Sequence, residues 1–408
     1  MTSLRYGLAF AQVLTLFVGL GGCASQLARN PVPQALQSQS HVPSLGHVRY
    51  WGDQAPTGDV TVAIRQGLPN LTRLAESPSE NGQPVVNFLA LSSGGEDGAF
   101  AAGLLVGWTQ SGRRPRFEVV TGVSAGALIA PFAFLGPAYD GKLREIWTQY
   151  GTNDLVIQQP LAGLLGGDSL ADTSPLADLI AANIDARFMA AVAAEYRKGR
   201  VLLIGTTNLD AQRPVVWNMG EIAVSGHPRA LALFRQVILA SAAIPGVFPP
   251  VLIKVDAGGD EHEEMHVDGG VTHKVFLTPM QFSIRQLDPL HSAPPINRFF
   301  IVNNAKLAPE WKPVEANVFA IAERSLSTLN KAHGEGDLFQ LYFQARRDGA
   351  DFNLAAIPQG FKKQSTEYFD RTYMQALFKA GEARGRSPAP WLKAPPEVAG
   401  AGLGVPGN

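Results

Sequence analysis

The stretch that decides the fold runs Phe117-Glu118-Val119-Val120-Thr121-Gly122-Val123-Ser124-Ala125-Gly126-Ala127-Leu128-Ile129-Ala130. Its first half is a short apolar run of strand character and its last residues open a helical pattern, so the chain turns from strand to helix at the serine. In Gly122-x-Ser124-x-Gly126 the serine sits in a strained backbone conformation, and a Cβ two residues away on either side would crowd the turn. A helix beginning just after Ser124 aims its N-terminal amides at negative charge developing there, which makes Ser124 a candidate nucleophile. In a chain with 42 glycines the five-residue pattern has weight only in this strand, turn and helix context, since a plain Gly-rich turn reads the same way.

Upstream, a second strand, Val85 to Leu91, ends in Ser92-Ser93-Gly94-Gly95-Glu96-Asp97-Gly98, and a small-residue helix follows from Ala99. Consecutive glycines leave the amides of Gly94 and Gly95 open to an anion, with no side chain in the way. A dinucleotide fingerprint is excluded: it needs Gly at 93, where Ser stands, and an acid at the end of the next strand, whereas Glu118 is near its start. The P-loop pattern is absent, and a simple strand-to-helix turn is the remaining alternative. Further strands are expected at Phe117 to Val120, Val201 to Thr206, Val215 to Asn218, Val251 to Val255 and Phe299 to Val302, with helices starting near Ala99, Ala125, Leu176, Arg229, Val314 and Thr366. This alternation predicts an α/β sheet between helices.

A serine nucleophile needs a proton acceptor. The late histidines His273, His291 and His333 lack an obvious strand-end setting, although a His-dependent esterase stays open. Another arrangement fits better: Ala240-Ser241-Ala242-Ala243-Ile244-Pro245-Gly246-Val247-Phe248-Pro249-Pro250, then a turn rich in acids, then His266-Val267-Asp268-Gly269-Gly270. With the Gly-rich loop at 93–98 and the elbow at 122–126, these features resemble, in order, the patatin-like phospholipase family. The resemblance covers at least residues 85–275.

The resemblance implies a three-layer α/β/α sandwich with a mainly parallel central sheet. It makes Ser124 the nucleophile and Asp268 its proton acceptor in a Ser-Asp dyad, with Gly94 and Gly95 as oxyanion hole, Gly122 and Gly126 as elbow glycines, and Gly269 and Gly270 completing the acid motif. The implied chemistry is acyl-ester hydrolysis of a lipid through an acyl-enzyme, with no metal and no organic cofactor. A partly buried carboxylate has the raised proton affinity such a base requires. Asp348-Gly349-Ala350 is a rival acid motif, but it follows the helical Leu338 to Arg347, where an Asp ends a helix. The family usually has Gly at the position of Ser93 and a basic residue at that of Asp97. Glu96 and Asp97 would then disfavour anionic head groups or raise the proton affinity of Asp268; the favoured reading is that Asp97 caps the helix at Ala99. A catalytically inactive, lipid-binding envelope protein is the alternative from another class.

Composition agrees. Lys and Arg number 34 against 35 Asp and Glu in 408 residues, for a net charge of −1 with no run of about five or six like charges, which argues against a nucleic-acid partner. Cys23 is the single cysteine, so no intrachain disulfide forms. It closes an uncharged segment, Tyr6 to Ala28, whose end, Leu20-Gly21-Gly22-Cys23, resembles the lipobox of bacterial lipoproteins. That implies lipid attachment at Cys23, tethering to a membrane in the cell envelope and, with Ala24 following, passage to the outer membrane. The expected division is a signal peptide at 1–22, a Pro-containing tether at 23–58 on which Val48 to Trp51 packs against the domain, one catalytic domain at 59–386, and a mobile Pro/Gly-rich tail at 387–408.

Overall fold

The computed structural model describes residues 29–46, 48–54, 79–158 and 169–396. In chain order its elements begin with β1 (Arg49–Trp51), β2 (Ser79–Glu80), β3 (Gln83–Leu91), α1 (Gly98–Gln110), β4 (Val119–Val123), α2 (Ala125–Leu135), α3 (Asp140–Gln149), α4 (Thr152–Leu155), β5 (Ile157–Gln158) and β6 (Ala171–Asp172). There follow α5 (Ser174–Asn183), α6 (Ala186–Arg197), β7 (Val201–Asn208), β8 (Arg213–Asn218), α7 (Met219–Val224), α8 (Ala230–Ser241), β9 (Val251–Ala257) and β10 (Asp260–Asp268). The chain closes with β11 (Ile296–Asn303), α9 (Val318–Asp348), β12 (Asp351–Ala356) and α10 (Arg371–Arg386).

Among the described residues a 10-stranded mixed sheet has the central order β1-β8-β7-β4-β3-β11-β12. From β7 to β12 the neighbours run parallel, whereas β8 joins β7, and β1 joins β8, antiparallel. The parallel strands are buried on both faces, as their continuous apolar runs require. Period-two alternation sorts their side chains: Leu89, Leu91, Phe300 and Val302 enter one cluster, and Val86, Phe88, Ala90, Phe299 and Ile301 the other. The first cluster is closed by α1, α2, α5, α6, α8 and α10, the second by α9 through Leu338, Leu341 and Ala345. This is the three-layer α/β/α arrangement.

Several expectations are corrected. The strand before the serine runs to Val123 instead of ending at Val120. The acid-rich turn after Pro250 is strand β10, paired antiparallel with β9 around Gly258 and Gly259, both at positive φ. Its acids hid the strand because His262, Glu264 and His266 point inward while Glu261 and Glu263 lie outward. Helix α9 begins at Val318, four residues later than Val314, because the Asn317 side chain caps it by accepting from the Ala320 amide. Helix α10 begins at Arg371 instead of Thr366 because Asp370 caps it, accepting from the Tyr373 amide.

The tether and the tail are docked wherever they are described. Strand β1 adds Arg49–Trp51 to the sheet edge as expected, but the docking starts earlier: Arg29 pairs with Asp210 at 2.5 Å, and His41 bridges Asp256. Arg49 also pairs with the buried Glu264 carboxylate. At the other end Trp391 packs on Trp108 and Phe300, and Leu392 bridges Leu354, so residues 387–396 lie on the domain and are not a loose tail. The signal segment with Cys23, and residues 397–408, lie outside the described residues. No described helix is long and apolar enough to cross a membrane.

Candidate active site

Two strands meet end to end along one edge of β7. On that edge β4 pairs in parallel up to Val123 opposite Gly205, and β10 arrives antiparallel with Asp268 opposite Thr206. The residue after β4 and the last residue of β10 are thereby brought together. They are Ser124 and Asp268. The meeting demands close backbone approach: a Cβ on Gly122 would lie 2.4 Å from the Gly126 carbonyl oxygen, one on Gly126 2.1 Å from that of Leu91, and one on Gly269 2.3 Å from that of Gly205. Ser124 itself has φ 55 and ψ −120, a conformation that costs about 1–3 kcal/mol and persists only where the surroundings enforce it.

Both side chains are buried, and the Ser124 hydroxyl lies close enough to the Asp268 carboxylate to hold its proton affinity down. The Gly270 amide donates to the same carboxylate at 2.7 Å. Burial pushes the Asp268 carboxyl up to about 6, against the opposing pull of the Ser124 hydroxyl, the Gly270 amide and the Lys274 charge. A carboxylate of that affinity beside a serine hydroxyl can accept the serine proton near neutral pH.

The stretch after α8 clamps both residues. The Ser124 amide donates to Ser241 Oγ at 3.0 Å, Ser241 Oγ donates to the Gly205 carbonyl at 2.6 Å, and the Asp268 amide donates to the Ala243 carbonyl at 2.9 Å. One turn of chain therefore sets the backbone of the elbow and of the acid. Replacing Ser241 with Ala leaves a buried donor and a buried acceptor unpaired, an expected loss of about 1–3 kcal/mol of stability in denaturant titration. An unchanged unfolding midpoint would remove the clamp from the account.

The Gly-rich loop is held from three sides. The Ser92 amide donates to the Val302 carbonyl, the Ser93 amide to the Lys274 carbonyl at 2.8 Å, and Asn304 Nδ2 to the Ser92 carbonyl at 2.9 Å. Gly94 packs so closely on Asn304 that a Cβ would lie 2.6 Å from the Asn304 Cβ. Among the described residues no protein acceptor takes the amides of Gly94 and Gly95, and Gly95 lines the same pocket as Ser124.

Asp97 does not cap α1 with its side chain; its carboxylate accepts from the Tyr373 hydroxyl at 2.5 Å. Glu96 likewise turns outward to accept from the Asp370 amide at 3.1 Å. Helix α10 thus docks its first turn on the loop. Burial raises both acids, Asp97 to about 7. Neither contributes to the raised proton affinity of Asp268, which comes from burial.

From Ser124 opens a pocket of about 750 Å³, counting the part open to solvent. Its walls come from α2, α3, α5 and α8 and include Leu128, Phe132, Leu179, Ile180, Ile184 and Ile238; among the described residues the polar groups on the lining side chains are Ser124, Asn183 and the Trp147 indole. The rival groups sit elsewhere. His273 and His333 both face Asp337, His291 feels Asp288, and Asp348 ends α9, accepting from Arg347 and Ser283. Of the added residues, Ser241 lay in a stretch already singled out, while Asn304 and Tyr373 come from distant sequence with no motif to mark them.

No match to this chain is found among curated proteins. Among solved structures, the crystal structure of VipD from Legionella pneumophila is similar at 12% identity over 76% of this chain and 68% of that chain, with a TM-score of 0.34, too remote to transfer any residue's role. Residues 89–280, which run from β3 through the Gly-rich loop, the elbow and Asp268, match the model of the patatin-like phospholipase family.

Proposed function

We propose that the protein is a serine acyl-ester hydrolase acting on lipids. The observation that carries this reading is the juxtaposition of buried Ser124 and buried Asp268 at adjoining strand ends, with Ser124 lining an apolar pocket. In the first half-reaction Ser124 Oγ attacks the ester carbonyl and its proton passes to Asp268. The Gly94 and Gly95 amides hold the oxyanion, and the tetrahedral species collapses as Asp268 returns the proton to the departing alcohol. In the second half Asp268 takes a proton from water, which attacks the acyl-enzyme, and returns it to Ser124 Oγ as the bond from that oxygen to the acyl group breaks and a fatty acid leaves. No step needs histidine.

The apolar walls suit an acyl chain. Leu179→Trp, which adds bulk to the pocket wall, is expected to lower kcat/KM for a palmitoyl ester about tenfold relative to a butyryl ester. An equal effect on both esters would place the acyl chain elsewhere. The function itself is tested by fatty-acid release from a panel of phospholipid, lysophospholipid and glyceride esters; no release from any of them would reject it.

Lipid attachment at Cys23 completes the proposal, tethering the enzyme to a cell-envelope membrane, the outer membrane by the residue that follows. A weakly charged hydrolase held by its own acyl chains has no need of a basic surface to meet lipid. Metabolic labelling with an alkyne fatty acid is expected to tag the full chain and to be lost in Cys23→Ala. Retention of the label would move the attachment site.

A further inference from the structure

Behind the acid motif, on the face of the sheet covered by α9, lies a cluster the proposed chemistry does not use. His333 and Asp337 are one turn apart on α9 and share a face, and His273 reaches them from the loop that follows Asp268-Gly269-Gly270. His273 Nδ1 stands 3.5 Å from Asp337 Oδ1, and His333 Nε2 stands 3.9 Å from the same oxygen. All three donor atoms lie within 4.8 Å of one another.

We propose that His273, His333 and Asp337 form a binding site for a divalent transition-metal ion of the zinc type. Tetrahedral coordination at about 2.0–2.1 Å from the metal puts neighbouring ligand atoms about 3.3 Å apart. The two separations to Asp337 therefore have to contract by roughly 0.2 and 0.6 Å, and the one between the two imidazole nitrogens, at most 4.8 Å, by at most about 1.5 Å, which side-chain rotation can supply. Of the two to Asp337, the first is a hydrogen bond at the upper limit of length and the second is longer than one, against a usual length of about 2.9 Å, so the trio is loosely held and has room to close on an ion.

The carboxylate is oriented for the task. Asp337 Oδ2 accepts the backbone amides of Lys274 at 2.6 Å and Val275 at 3.3 Å, which fixes the group and leaves Oδ1 facing both imidazoles. Ligating carboxylates are commonly held by a second layer of donors in this way. Asp337 is buried, while His273 and His333 keep 29% and 35% of their side-chain surface exposed, so an ion can enter and a water can fill the fourth position. Two imidazole nitrogens and one carboxylate oxygen suit zinc, nickel or copper and offer too few oxygens for calcium or magnesium.

The ion would brace the active centre without touching it. The loop that supplies His273 starts at Asp268, and the Lys274 carbonyl in that loop accepts the Ser93 amide at 2.8 Å, at the head of the Gly-rich loop. A metal joining His273 to α9 fastens this loop to the long helix and fixes the support of both.

The test uses the full chain in detergent, free of any oligohistidine tag and stripped with chelator, titrated with Zn²⁺ by calorimetry and with Co²⁺ by visible absorption. Expected are one ion per chain, a four-coordinate Co²⁺ spectrum and a raised melting temperature, with binding weakened at least about tenfold in His273→Ala and in His333→Ala. Both histidines are partly exposed, so the variants are expected to fold, which circular dichroism checks. No saturable uptake by the wild-type chain, or uptake unchanged in both variants, would overturn the site. Because ion binding is read directly, failure here is distinguishable from failure of the ester-hydrolase reading.

Discussion

Ser124→Ala is expected to lower ester hydrolysis by about 10⁴- to 10⁶-fold, the range seen when a nucleophilic serine is removed, while leaving the unfolding transition within a degree or two of wild type. The elbow is enforced by neighbours that the substitution leaves alone: the Ser241 clamp on the residue 124 amide, and the close contacts at Gly122 and Gly126. What is lost is one oxygen, and with it the acyl-enzyme. Turnover of a short p-nitrophenyl ester alongside a thermal melt separates the outcomes. Full activity in a folded variant would dismiss Ser124 as nucleophile.

Asp268→Asn is expected to cost about 10⁴-fold, at the upper end of what proton transfer contributes, because the amide cannot accept the serine proton. The same carboxyl predicts the pH profile. The base works only when ionised and burial has raised it to about 6, so wild-type kcat/KM should rise about tenfold per pH unit below that value and level off above it. Stability should move the other way. A carboxyl raised in the folded state favours folding while protonated, and above pH 6 its buried charge opposes folding. The Asn variant carries no such charge, so at pH 8 it is expected to melt higher than wild type while being inactive. An acid limb that persisted unchanged in residual Asn-variant activity would assign the titration to another group.

The α/β/α layering was legible in the sequence, and so were the glycines at the strand ends, more than the exact bounds of the elements between them. Gly122, Gly126 and Gly269 are required where backbone atoms come within 2.1 to 2.4 Å of a would-be Cβ, a demand so strict that it leaves a readable pattern. Strand β10 was not readable, because its outward face carries Glu261 and Glu263 and the mean polarity resembles a turn; only its alternation distinguishes it. Helix starts at Val318 and Arg371 were missed by a few residues, since the caps Asn317 and Asp370 act through single hydrogen bonds inside polar stretches. Asp97 shows a different limit. An acid ahead of a helix reads as a cap, yet its partner is Tyr373, a contact spanning 276 residues that no local pattern records. The clamp from Ser241 and Ala243 explains why a stretch without acid or base of its own accompanies the elbow and the Asp-Gly-Gly motif.

The central claim is that Ser124 is activated by Asp268. It is tested most directly by mapping the adduct of a fluorophosphonate probe by mass spectrometry in wild type and in Asp268→Asn. The account predicts stoichiometric modification of Ser124 in the wild-type chain, with a labelling rate that rises through about pH 6, and labelling slowed by orders of magnitude in the Asn variant. Modification of a different serine, or equal labelling rates in the two proteins, would contradict it.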